Sequence, residues 1–282
     1  MHHFSAQEEC LDDEVLAHLS RLRYGVDYNT DGLEIYACCV PASGKIPGDY
    51  VGVVRNGNDA LIVTTDGMGK GLRAFPHAHS VTQRFFIGTH TQGVEQALDE
   101  LFRAFAEKSG RGKVMFSAFM LLDMKEEGDG YRLSIYGMGQ PSPLIYRAGS
   151  KMVDEVPSLS GVAIGIPIRL DGRKPYGVFS TYLDVGDRLL AYSDGVTEAR
   201  NQQGTMFSEA NTGLKKSFLC SVKKNLWKHT DEIAQDILYD IMEHCGEDMD
   251  EECDVTLQDD ITVAVVRVKD PGARPVKSRR KK

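Results

Sequence analysis

Between residues 32 and 39 apolar Leu33, Ile35 and Ala37 alternate with Glu34 and Tyr36, a two-residue period that predicts a strand there. The same pattern recurs at 50–55 and 60–65, and Asn56-Gly57-Asn58 between them reads as the turn of a hairpin. From Leu72 the period lengthens to that of a helix. Two helical stretches follow, at about 72–87 and 93–108, the second carrying Val94, Leu98, Leu101, Phe102 and Phe105 on one face. Strand patterns resume at 114–123, 131–136, 144–147, 176–183 and 188–192, so antiparallel β structure dominates the middle of the chain. A helix is expected at 231–245, with Thr230 as N-cap, Asp231 and Glu232 in the first turn and Gly246 at the exit. Six acids between Glu247 and Asp254 read as a solvated loop before a last strand at 261–268. At the other end, Leu11, Val15, Leu19 and Leu22 form one stripe of a short helix over 7–22, led by acids and closed by Arg21 and Arg23.

Composition changes this picture little. The 282 residues are 41% hydrophobic and 26% charged, which excludes a largely disordered, collagen-like or fibrous chain. The longest apolar run, 114–122, is broken by Ser117 and too short to cross a bilayer, and the start lacks the basic and apolar regions of a signal peptide. Six cysteines without CxxC spacing fit a reduced, cytoplasmic compartment, and adjacent Cys38 and Cys39 must point to opposite faces of a strand. With no internal repeat and no interdomain linker, the organisation expected is an N-terminal helix and connector over 1–29, one domain over 30–269 and a basic disordered tail over 270–282.

Charge is more informative. The net charge is −8, but residues 270–282 hold six Lys/Arg and one Asp, so the tail is +5 and the remainder −13. An acidic body argues against a nucleic-acid groove, which needs clustered Lys and Arg, whereas carboxylates gathered round metal ions would contribute to the same imbalance.

Two segments place acids where a metal could use them. Ala60-Leu-Ile-Val-Thr-Thr-Asp66-Gly67 and Arg188-Leu-Leu-Ala-Tyr-Ser-Asp194-Gly195 each run an apolar strand into Asp-Gly. Neither continues as a tight hairpin, since Met68-Gly69-Lys70-Gly71-Leu72 leads into a helix and Val196-Thr197-Glu198-Ala199-Arg200-Asn201 into a loop. A carboxylate at a strand end beside glycine suits a hard cation: the side chain gives one oxygen and the unshielded glycine carbonyl can give a second. Asp49, ahead of the strand at 50–55, and Asp259 with Asp260, opening the last strand, complete an ordered set. Any one of these acids alone is an ordinary turn or cap residue.

The set resembles a known family, the SpoIIE-like branch of the metal-dependent (PPM, protein phosphatase 2C-like) serine/threonine phosphatases. The resemblance runs through Gly32-Leu-Glu-Ile-Tyr-Ala, Pro41-Ala-Ser-Gly-Lys-Ile-Pro-Gly-Asp49, Thr65-Asp66-Gly-Met-Gly-Lys-Gly71, Ile164-Gly-Ile-Pro167 and Leu183-Asp-Val-Gly-Asp187-Arg-Leu-Leu. It continues through Tyr192-Ser-Asp194-Gly-Val-Thr-Glu-Ala-Arg-Asn201 and Asp259-Asp-Ile-Thr-Val-Ala-Val-Val266, all in family order. It implies an α+β fold, a four-layer αββα sandwich of two mainly antiparallel sheets flanked by helices, with two Mn²⁺ or Mg²⁺ ions at one edge. By position, Asp66 matches the carboxylate bridging the ions and Gly67 the carbonyl ligand. Asp49 matches the ligand of one ion, and Asp194 and Asp259 those of the other, with Asp260 a weaker candidate beside them. The implied chemistry is attack of a metal-bridging water on a phosphate ester, without a covalent phosphoenzyme.

Departures from the family pattern fall on the other roles. Many relatives carry a histidine, proposed as general acid, where this chain has Met68, and the Asn-Ala-Gly-His turn is replaced by Gly137-Met138-Gly139-Gln140. Lys70 offers a cation to the phosphoryl oxygens, or is an exposed turn residue. Glu198 stands where some relatives place an acid that helps a third ion. His77 and His79, two residues apart on a helix, face different ways and read as packing or surface residues. The function expected is thus a protein serine/threonine phosphatase acting on a phosphoprotein, which the resemblance suggests is a STAS-domain anti-sigma-factor antagonist of a partner-switching pathway. The N-terminal helix would supply a homodimer contact. The alternatives are a non-catalytic binding module of the same fold, or another two-metal phosphoesterase such as a phosphodiesterase, whose sites usually add histidine ligands.

Overall fold

A computed structural model describes residues 25–42, 46–109, 115–167, 173–209, 213–224, 228–246 and 257–270. The expected helix at 7–22, the acid run at 247–254, the basic tail beyond residue 270, and Cys10 and Cys253 lie outside the described residues.

The strands are β1 (Val26–Asp27), β2 (Leu33–Val40), β3 (Tyr50–Asn56), β4 (Asp59–Gly67), β5 (Ser117–Glu127), β6 (Gly130–Met138), β7 (Leu144–Arg147), β8 (Met152–Glu155), β9 (Gly177–Leu183), β10 (Arg188–Tyr192) and β11 (Ile261–Val268). They form a six-stranded sheet in the order β1-β2-β11-β10-β7-β8 and a five-stranded sheet in the order β3-β4-β5-β6-β9, with antiparallel pairing throughout. The helices are α1 (Phe75–Gln92), α2 (Val94–Ser109), α3 (Asp194–Glu198), α4 (Leu214–Lys224) and α5 (Thr230–Cys245).

Alternation along the strands explains the layers, because successive side chains leave a strand on opposite faces. On β2, Leu33, Ile35, Ala37 and Cys39 join the core between the two sheets, whereas Tyr36 and Cys38 join a second core under α4 and α5. The adjacent cysteines therefore point opposite ways, as their strand position requires. In the five-stranded sheet, Ile62, Leu122 and Ile135 face inward, and Val63, Leu121 and Tyr136 pack under α1 and α2 with Phe85, Leu98 and Phe102. Three cores separate four layers, the expected αββα sandwich. Each fully buried Leu, Ile or Phe among them contributes about 1.5–3 kcal/mol by leaving water.

The expected strands at 144–147, 188–192 and 261–268 have those bounds, and the hairpin closes at Asn56 opposite Asp59. Helix α1 begins three residues later than expected, since Gly71–Arg73 form a 3₁₀ turn and Pro76 sits in the first turn of α1, where its missing N–H costs nothing. The N-cap of α5 is His229, not Thr230. The Glu232 carboxylate accepts from the His229 N–H (3.0 Å), and the Thr230 N–H goes to buried Glu34 (3.0 Å). Asp194 opens a five-residue helix where a loop was expected. Helix α4 and the short strands β1 and β8 have no counterpart in the sequence reading. Among the described residues no helix is long and apolar enough to cross a membrane.

Candidate metal centre

The expected ligands arrive at one end of the sandwich from four separate stretches of chain. Asp49 immediately precedes β3, Asp66 and Gly67 end β4, Asp194 follows β10 as the first residue of α3, and Asp259 lies just before β11. Antiparallel pairing places the start of β3 beside the end of β4 and the end of β10 beside the start of β11. Hydrogen bonds from the Gly48 N–H to Asp260 and from the Thr262 hydroxyl to Asp49 join the two strand pairs, so their acids meet across the sandwich.

Both Asp-Gly glycines are there for close approach. A Cβ on Gly67 would lie 2.9 Å from the Ala74 carbonyl oxygen and 3.1 Å from that of Gly48, so a side chain there would push the end of β4 away from the segment carrying Asp49. A Cβ on Gly195 would lie 2.0 Å from the Asp260 carbonyl oxygen. Only glycine lets Asp194 stand alongside the Asp259-Asp260 pair.

The charge state of the cluster follows from burial and crowding. Asp49 is 3% exposed. Its carboxyl is held well above the usual range, first by burial and then by the negative charges of Asp66 and Asp260, with the hydroxyls of Thr262 and Ser193 opposing the shift. Burial and the neighbouring Asp194 push Asp66 up to about 7, and a hydrogen bond with Asp49 works the other way. Asp194 is raised by burial, Asp259 and Glu198. Among the described residues no Lys or Arg forms an ion pair with Asp49, Asp66 or Asp194.

Such a set, all oxygen donors, crowded and with no described Lys or Arg ion-paired to Asp49, Asp66 or Asp194, fits a hard divalent ion such as Mn²⁺ or Mg²⁺. The residues that would hold it are Asp49, Asp66, Asp194 and Asp259 with the Gly67 carbonyl. No three described His, Cys, Asp or Glu side chains already stand in a ligand-tight cluster. The acids share a charged neighbourhood without being closed on one point.

Asp260 has a different task. It is 2% exposed, and its two carboxylate oxygens accept from the backbone N–H groups of Ala42 (2.6 Å) and Gly48 (2.5 Å). It clasps both ends of the segment leading into Asp49, which removes it from the direct ligands, while exposed Asp259 accepts from the Asp260 N–H at 2.9 Å. Lys70 is exposed and donates to the Gln258 carbonyl, next to Asp259. Met68 is 37% exposed, and its thioether has no proton to give.

Sequence reasoning missed several groups that support the acids. The Gln140 side-chain amide lies between the Tyr192 carbonyl and the Asp66 N–H, and satisfies both at 3.3 Å with its oxygen toward Asp66. Ser193 and Thr262 stitch β10 to β11, the Ser193 N–H donating to the Thr262 carbonyl and the Thr262 N–H to the Ser193 hydroxyl, both at 3.0 Å. Their positions beside Asp194 and Asp260 were the available signal. The two histidines are packing residues, as expected. His77 Nδ1 lies 2.7 Å from the Ser117 hydroxyl and its ring meets the Phe105 edge, while His79 stacks on Phe75.

Comparison with known proteins identifies the family and the fold. The family model described as Stage II sporulation protein E (SpoIIE) matches residues 56–269. Phosphoserine phosphatase RsbU of Bacillus subtilis (strain 168) is 23% identical over 266 residues, which cover 93% of this chain and 72% of the relative. The fold is shared with the RsbU and RsbW domains of Rv1364c from Mycobacterium tuberculosis, at a TM-score of 0.68 and 18% identity over 89% of this chain and 63% of the other. It is shared too with the PP2C phosphatase domain and regulatory fragment of SpoIIE from Bacillus subtilis, at a TM-score of 0.61 and 20% identity over 86% of this chain and 64% of the other. With its acids at the sandwich edge and a family model spanning most of its length, the chain belongs to the Stage II sporulation protein E (SpoIIE) family.

Proposed function

We propose that this protein is a Mn²⁺- or Mg²⁺-dependent phosphatase that hydrolyses phosphoserine or phosphothreonine on a partner protein. One observation carries the reading: Asp49, Asp66, Asp194 and Asp259 converge from four chain segments, with Asp49 and Asp66 held above the usual carboxylate range and no described Lys or Arg to neutralise them. When bound, two divalent ions supply Lewis acidity toward the phosphoryl oxygens and an activated water. The chain itself contributes placement. Asp66, hydrogen-bonded with Asp49 and under the charge of Asp194, would hold metal together with them, and Gln140 steadies its backbone. Lys70, exposed at the rim, would exchange the Gln258 carbonyl for a phosphoryl oxygen and act as a clamp. With Met68 in place of a proton donor, the leaving serine or threonine alkoxide would take its proton from water or another nearby donor. Glu198, whose charge already bears on Asp194, is the position for a third ion.

The partner we favour is a phosphorylated STAS-domain anti-sigma-factor antagonist in a cytoplasmic partner-switching pathway, with the enzyme acting as a homodimer; the relative named a phosphoserine phosphatase supports the phosphoserine part of this reading. A phosphodiesterase with histidine ligands is disfavoured, because His77 and His79 are committed to Ser117 and to aromatic neighbours. The test is phosphate release from a phosphoserine peptide by metal-depleted protein titrated with Mn²⁺. Activity should require the ion and fall by at least about 10²-fold in Asp66→Asn and in Asp194→Asn, while circular dichroism stays that of wild type. Near-normal rates in either variant at saturating Mn²⁺ would overturn the site.

A further inference from the structure

Asp49 is a buried carboxylate reached by a hydroxyl from the opposite sheet. On β11, Thr262 shares its face with Ala264 and Val266, both of the core between the sheets, so its side chain enters that core while Ile261 and Val263 pack under the helices. Its hydroxyl donates to Asp49 Oδ2 at 2.8 Å. Thr262 carries a single hydroxyl proton, and that proton is spent on Asp49. The Cys39 sulfur, 2.8 Å from Thr262 Oγ1, is then the donor to it. Cys39 is the cross-strand partner of Thr262 in the β2–β11 ladder, and both side chains are fully buried. The resulting chain, thiol to hydroxyl to carboxylate, is buried at every member.

The geometry also restricts motion. A β-branched side chain on a strand has little freedom at χ1, and the Thr262 backbone is fixed on one edge by Cys39 and on the other by Ser193. An aspartate carboxylate otherwise turns easily about χ2. Holding Oδ2 limits that turn, the Ser193 hydroxyl and Asp66 also bear on the Asp49 carboxyl, and Asp260 fixes the backbone on either side of the same segment. From these contacts we infer that Thr262, backed by Cys39, is a positioning residue that presets the Asp49 carboxylate for its metal ion. The inference rests on the metal-centre reading above.

The test is Mn²⁺ binding followed by electron paramagnetic resonance on the full chain, for wild type, Thr262→Val and Thr262→Ser. Valine keeps the shape and removes the hydroxyl; serine restores it. The expected result is Mn²⁺ affinity about 10–100-fold weaker in Thr262→Val, with serine recovering most of the loss. In kinetics, Thr262→Val should raise the Mn²⁺ concentration needed for half-maximal rate while kcat at saturating metal recovers. Thr262→Ala gives the same readout if the valine protein does not fold. If wild type binds Mn²⁺ and both hydroxyl-free variants bind it as tightly, the positioning role is overturned and the metal centre stands. If wild type itself binds none, the metal centre falls and the role with it.

Discussion

Asp66 carries the clearest consequence of crowding. Burial and the neighbouring Asp194 push its native carboxyl up to about 7, above the usual carboxylate range. Because the folded, metal-free state holds a proton that the unfolded chain has released, this residue makes stability fall as pH rises from about 4 to about 7. A bound divalent ion reverses the sign, since it displaces the proton and uses the charge. Thermal unfolding of metal-depleted protein should therefore show a downward slope in Tm between pH 5 and pH 8 that is shallower in Asp66→Asn, and Mn²⁺ should raise Tm more at pH 8 than at pH 5. An equal Mn²⁺ effect at both pH values would contradict the assignment. Lys70 makes a second prediction at this scale. As a clamp, its loss in Lys70→Ala should raise KM about tenfold, the equivalent of one charge-assisted hydrogen bond of roughly 1.5 kcal/mol, and do so for both a phosphoserine peptide and an aryl phosphate. A selective loss on the peptide would point to proton donation instead. That these acids stand at strand ends was legible in the residues themselves. What each does was not, because Asp260 looks like Asp259 in sequence and differs only in having both oxygens taken by the backbone of a distant segment.

At the scale of elements, legibility followed the strength of the local signal. The strand at 261–268 is apolar at nearly every position and bounded by acids and a lysine, and its limits were read correctly. Helix α5 ends where Gly246 takes a left-handed conformation (φ 76°) and its N–H bonds the Glu243 carbonyl at 3.1 Å. Gly246→Ala should cost about 1 kcal/mol, the strain of an L-residue in that region, seen as a lower urea midpoint with an unchanged slope. Helix α4 escaped notice because Leu214, Phe218 and Val222 are separated by lysines and serines. Its polar residues make sense only against α5, where Ser221 donates to Asp236 at 2.8 Å and Ser217 is held by Asp240 at 2.5 Å. Strand β8 buries only Val153 and exists because β7 pairs with it.

Across the whole molecule, Arg147 straps the two sheets together. From β7 its guanidinium donates to the Tyr182 carbonyl (2.6 Å) and the Thr181 hydroxyl (2.9 Å) of β9, and to Asp187 Oδ2 (2.9 Å), a carboxylate 1% exposed as a residue. Arg147→Ala would leave that buried charge, among the described residues, hydrogen-bonded by the N–H groups of Ala148 and Asp184 with Arg188 as the remaining nearby cation, and should cost about 3 kcal/mol in urea unfolding. A loss under about 1 kcal/mol would show that the backbone donors suffice. The sequence by itself determined the alternation of strands and helices and the pairing of apolar strands with terminal Asp-Gly, because two-residue and 3.6-residue periods and turn glycines are local properties; the sandwich was expected only through the family resemblance that those motifs carry. Only the tertiary structure decided which acid binds backbone and which stays available. It also paired Thr262 with Asp49, and turned Lys70 toward Gln258. The physical reason is that burial, shared protons and hydrogen bonds between residues more than 200 positions apart, such as Ala42 with Asp260 and Cys39 with Thr262, arise only when the chain closes on itself.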